Sequence, residues 1–151
     1  MTGEPLDTGL AAAQEALVRA IAAGGPLPPG FDPAGVAAAA RSILYKRAGD
    51  VARTWPALAA SYGTSWKETY AGWAAGRPTH GSIRDAWDFA RQHAAELSAE
   101  AVRELALTEA RWSYDGNGEP RRRRAAVRRV PGGLAVQIMG RARLIGPAAR
   151  R

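Results

Sequence analysis

At Tyr114 the sequence changes its period, and this break limits what the chain can fold into. Upstream, apolar residues recur three and four positions apart, the spacing of helices with one buried face. Downstream, Val127 and Val130, then Leu134, Val136 and Ile138, flank Pro131-Gly132-Gly133, as in two short strands joined by a tight turn. The second arm is expected to continue through Arg141, Arg143 and Ile145. The reading is mainly α: a compact helical domain over 1–114, followed by a short basic C-terminal β-hairpin over 115–151. An isolated hairpin is marginal in water, so it must pack on the helices or on a partner.

Charge divides at nearly the same place. Residues 1–110 hold ten Lys/Arg against twelve Asp/Glu, a net of −2, whereas residues 111–151 hold eleven Arg against two acids, a net of +9. A near-neutral body thus carries a basic tail. Arg121, Arg122, Arg123 and Arg124 cannot lie in a core, and Arg128, Arg129, Arg141 and Arg143 on the strands are expected to join them on one small surface. These eight are the candidate peptide- or partner-binding residues, because guanidinium forks suit carboxylates and phosphates.

Local signals divide the helical part. Asp32-Pro33 reads as N-cap and first helical residue, and Pro56 stops that helix near Trp55. Ser65 to Glu68 has the form of a capping box, Ser82 to Asp85 repeats its logic, and Ser98 opens a last helix with Val102, Leu105 and Ala106 inward and Arg103 and Glu104 outward. Ile83, Ala86, Trp87, Ala90 and Ala94 share one side of the Ser82 helix. Trp66, Tyr70 and Trp73 fall on one helix face. With Trp55, Trp87 and Phe89 they form either a stacking platform for bases or an aromatic core, and the apolar neighbours favour core.

Chemistry that would mark an enzyme is sparse. Zero Cys excludes disulfides, thiolate ligands and a Cys nucleophile, and only His80 and His93 remain as imidazoles. His80 would need an orienting acid and a nucleophile to act as a base, and no spacing supplies them. His93 reads as a surface helical residue with Glu96 on its face. Phosphate-binding glycine loops and the Gly-x-Ser-x-Gly elbow are absent. No apolar run approaches a bilayer span, so a cytoplasmic chain with no membrane partner is expected, and the missing Cys and two isolated His add the expectation of no metal and no cofactor.

One stretch carries a family resemblance. Ser42-Ile43-Leu44-Tyr45-Lys46-Arg47-Ala48-Gly49-Asp50-Val51-Ala52-Arg53-Thr54-Trp55-Pro56-Ala57-Leu58 is followed by Gly63, Trp66, Tyr70, Trp73 and Gly76-Arg77-Pro78, then by Ser82-Ile83-Arg84-Asp85-Ala86-Trp87-Asp88-Phe89-Ala90-Arg91. Over roughly Leu10 to Leu97 this resembles the helical partner proteins of multinuclear non-haem iron-dependent oxidases in ribosomal-peptide maturation. The resemblance implies a non-catalytic accessory subunit that binds the oxidase and helps recruit its precursor peptide, the iron residing in the oxidase. Such partners often use a β-rich C-terminal segment, of which this chain has about one hairpin. Some relatives carry a DNA-binding label, so the alternative is a small DNA-binding regulator that sets its basic tail on phosphates.

Overall fold

Asp32 caps the longest helix, α2 (Pro33–Thr54), its carboxylate accepting the N–H groups of Ala34 at 3.2 Å and Gly35 at 2.8 Å. Pro56 ends it. Trp55, pushed out of the helical region by that proline, stands between α2 and α3 (Pro56–Tyr62). The computed structural model describes residues 5–146, so the ends of both expected domains, 1–4 and 147–151, lie outside the described residues. α1 (Pro5–Ala23) precedes α2, and α4 (Trp66–Ala74), α5 (Ser82–Gln92) and α6 (Ala99–Arg111) follow α3. Among the described residues no helix is long and apolar enough to cross a membrane.

The helices close over an aromatic core. Trp55, Leu58, Trp66, Tyr70, Trp87 and Phe89 are buried, with Ala48, Ala74, Ala86 and Ala90 small enough to let the helices approach. Phe89 is the hub: the rings of Tyr62, Trp66 and Trp73 meet it edge-on at 5.5, 5.4 and 5.5 Å between centroids. Trp66 also satisfies its indole N–H on the Ala48 carbonyl at 3.0 Å. Trp73 is only half-buried and donates to Gln92 at 2.8 Å. The aromatic set is therefore core, with Trp73 at its edge.

Several local expectations fail. Ser65 does not cap α4; it lies in a 3₁₀ turn (Gly63–Ser65) and its hydroxyl donates to Tyr62 O at 2.8 Å. Gly81, not Ser82, stands at the α5 cap, and no side chain caps it. Ile83 points outward at 56% exposure, and Ala94 falls in a second 3₁₀ turn (Ala94–Glu96). Ser98 does cap α6, accepting from Ala101 N–H at 3.2 Å. Glu104, expected outward, instead reaches the start of α3, accepting the N–H groups of Ala57 at 3.4 Å and Leu58 at 2.9 Å. Those groups are orphaned in the first turn, and a carboxylate there also meets the positive end of the helix dipole.

Beyond α6 the single hairpin is replaced by two small antiparallel sheets. β1 (Trp112–Ser113) pairs with β2 (Arg121–Arg122), a ladder that straddles the 114/115 boundary. β3 (Ala125–Val130), β4 (Gly133–Ile138) and β5 (Arg141–Ile145) form a meander in that order. A second two-residue turn at Met139-Gly140, with φ of 50° and 87°, breaks the arm expected to run on through Arg141. That conformation is usually signalled by Asn-Gly, and Met hides it. The meander rests on α6, where Ala135 packs against Ala106 and Ala110. Gly133 permits a close crossing, since a Cβ there would collide with the Ile145 carbonyl oxygen.

Candidate binding surface

Strand register sorts the C-terminal side chains onto two faces. Val127, Val136 and Arg143 stand abreast, as do Arg129, Leu134 and Ile145, and Ala125, Ile138 and Arg141. These form the outer face. Ala126, Arg128, Val130, Ala135 and Gln137 form the inner face against α6. Outward, Leu134, Val136 and Ile138 form an apolar stripe along the central strand β4, with Val127 and Ile145, 57% and 56% exposed, on the edge strands that also carry Arg129, Arg141 and Arg143.

The eight expected arginines therefore do not share one surface. A strand turns successive residues to opposite sides, so Arg128 leaves its neighbour Arg129 and lies 4.0 Å from Glu109 on α6. Arg123 serves the end of α6: its backbone N–H donates to Arg111 O at 2.9 Å and its Nε to Trp112 O at 3.1 Å. A cation on the last carbonyls of a helix is favourable there. Arg121, Arg122 and Arg124 are exposed, with the Arg122 guanidinium 4.9 Å above the Trp112 ring. Among the described residues none of these three makes an ion pair.

Sequence reasoning missed four contributors. Arg111 and Trp112 end α6 and begin β1, Gln137 hides in a strand read as apolar, and Gly140 belongs to the unseen turn. With Arg122 and Arg123 they line a hollow of about 320 Å³ that contains no carboxylate. Gln137 is 2% exposed; its Nε2 donates to Arg123 O at 3.3 Å, while its Oε1 has no hydrogen-bond partner among the described residues. Only a polar residue inside an alternating strand could have signalled it.

Two polar clusters hold this surface to the helical body. Glu109 accepts from Trp87 Nε1 at 3.3 Å and Arg91 Nε at 2.8 Å while facing Arg128, so α5, α6 and β3 meet on one carboxylate. Tyr114 is buried and donates to Asp88 at 3.0 Å; burial first, and the Asp88 carboxylate second, push its phenol up to about 12. Tyr70 moves in the same direction, by burial and then by the charge of Asp85.

The two histidines take structural places. His80 is exposed, and its backbone N–H donates to Asp85 at 2.8 Å. His93, expected on the surface beside Glu96, closes α5: half-buried, it stacks on Phe89 at 4.2 Å, with Nδ1 2.9 Å from the Phe89 carbonyl. Among the described residues no three His, Asp or Glu side chains gather where a metal could sit.

Known proteins resemble the helical part. Residues 11–95 match the family described as SCO6045-like, C-terminal domain, a stretch that runs from α1 through α5 and stops before α6 and the sheets. A UPF0276 protein of Streptomyces avermitilis is 40% identical over 88 residues, which cover 58% of this chain and 18% of that protein. The chain thus spans less than a fifth of its relative's length. No solved structure matches. Because the match takes in 85 of 151 residues and the helices that bring Trp55, Trp66, Tyr70, Trp87 and Phe89 together, the chain belongs to the SCO6045-like C-terminal domain family.

Proposed function

We propose that this chain is a non-catalytic accessory subunit in ribosomal-peptide maturation. Its helical domain docks on a multinuclear non-haem iron oxidase, and its basic meander recruits the oxidase's precursor peptide. The carrying observation is the outer sheet face, where the apolar stripe of Leu134, Val136 and Ile138 on β4, widened by Val127 and Ile145, runs between edge strands that carry Arg129, Arg141 and Arg143. An extended segment pairing with edge strand β3 or β5 would lay apolar side chains on the stripe and acidic ones on the arginines. A second copy of this chain would set arginine against arginine. Nucleic acid would meet the arginines but leave the stripe bare.

The curated relative supports the accessory role. There a domain like this one occupies about a fifth of a longer polypeptide, so it works alongside something larger. Leu10, Val18, Phe31 and Ile43, exposed along α1, α2 and the segment between them, offer a docking surface for it. In this reading the iron and the oxidation belong to the oxidase, and the pair acts in the cytoplasm.

Co-expression with an iron oxidase and precursor peptide from the same genome tests the proposal. Gel filtration should yield a complex, and mass spectrometry should find the peptide modified only when this chain is present. Replacing Val127 and Ile138 by Asp should weaken peptide capture while the oxidase complex persists. Sequence-selective binding to duplex DNA, with no oxidase complex, would make the regulator reading the correct one.

A further inference from the structure

We infer that the hollow between the end of α6, the β1–β2 ribbon and the β4–β5 turn is a carboxylate-binding subsite for a peptide. This rests on the reading that the chain holds a peptide, and it specifies where and through which groups. Arg111, Arg122 and Arg123 line the hollow together with Trp112, Gln137 and Gly140, and no acid is among them. Arg123 is engaged with the end of α6, so Arg111 and Arg122 are the cations left to bind. The Arg122 guanidinium lies over the Trp112 ring, a cation–π contact that restrains it, and an arginine fork can grip a carboxylate with two prongs.

Two further observations separate a peptide from a bare anion. The first is Gln137, buried in the wall with Oε1 lacking a partner among the described residues. An unpaired buried acceptor is unfavourable until a donor reaches it. A peptide supplies a backbone N–H beside its carboxylate, and a phosphodiester has none. The second is Met139, next to Gly140 on the rim, held at φ 50° and 87% exposed. The hairpin turn requires that positive φ, and at a residue other than Gly or Asn it costs free energy. Here the turn presents a flexible apolar side chain beside the cationic hollow, suited to an apolar residue flanking the carboxylate.

Fluorescence anisotropy of the full chain with a short labelled peptide of alternating Val and Glu tests this. Its comparison probes are the Gln counterpart, the C-terminally amidated form and a single-stranded oligonucleotide of equal charge. The Glu peptide should bind about tenfold more tightly than the form lacking the recognised carboxylate. Loss on Glu→Gln exchange assigns the carboxylate to a side chain, and loss on amidation assigns it to the chain end. In Arg111→Ala/Arg122→Ala that discrimination should vanish, whereas the charge-matched Lys46→Ala/Lys67→Ala should retain it. Gln137→Leu should weaken all the peptides and leave the oligonucleotide unchanged. Discrimination that persists in the double arginine variant overturns the subsite without touching the oxidase complex, which is read separately by gel filtration. An oligonucleotide that outcompetes the peptide and is lost in the same variant also overturns it.

Discussion

The Arg47 guanidinium meets the Asp85 carboxylate at 3.1 Å across 38 positions of sequence, joining the middle of α2 to the first turn of α5. Asp85 also accepts from Thr79 Oγ1 at 2.7 Å, Tyr70 OH at 3.4 Å and the His80 N–H at 2.8 Å. The Arg47 and Asp85 side chains are 14% and 5% exposed, so removing one strands a nearly buried charge. Asp85→Ala is expected to lower stability by about 3 to 5 kcal/mol. Urea unfolding should show the loss, and Arg47→Met added to Asp85→Ala should restore part of it.

Core and rim tryptophans should differ. Trp66 is 5% exposed and hydrogen-bonded inside, so Trp66→Ala is expected to cost about 3 to 5 kcal/mol. Trp73 packs on Phe89 from the edge, and Trp73→Ala should cost about half as much. Thermal unfolding of the two variants side by side checks the ranking.

Alkaline pH should loosen the fold through its tyrosines. Tyr114 is raised to about 12, and an unfolded tyrosine titrates near 10. The folded state therefore holds this proton more tightly, a contribution fully present below about pH 10 and lost as pH climbs through about 12. Tyr70 and Tyr62, also raised by burial, add to the same loss. Denaturant midpoints measured from pH 8 to 11 should fall, and the slope should be shallower in Tyr114→Phe.

Met139 should be replaceable at a gain in stability. Its φ of 50° belongs to the left-handed region, which Asn tolerates better, and Asn-Gly is the favoured pair for such a turn. Met139→Asn is expected to raise stability by about 0.5 to 1 kcal/mol. A higher unfolding midpoint accompanied by weaker binding of the Val/Glu peptide would tie the strain to ligand capture.

The helical architecture was legible because its signals are local. Asp32-Pro33 and Pro56 bound α2, Ser98 caps α6, and the three- and four-residue spacing of Trp66, Tyr70 and Trp73 places an aromatic face, since cap geometry and helical period need only a few neighbouring residues. The change of period read at Tyr114 lies just past the end of α6 at Arg111 and the first strand, Trp112–Ser113. What only the tertiary structure decided depends on partners distant in sequence: Glu104 turning inward to α3, Asp85 gathering Arg47 and Tyr70, and Arg123 closing the end of α6. The candidate surface falls in this second class. Strand alternation predicts opposite faces, but which face carries solvent was settled by Ala135 fitting against Ala106 and Ala110, which sent Arg128 inward and left Arg129, Arg141 and Arg143 outside. A charge run in sequence fixes how much charge the tail bears; packing of small side chains against one helix decides where that charge can act.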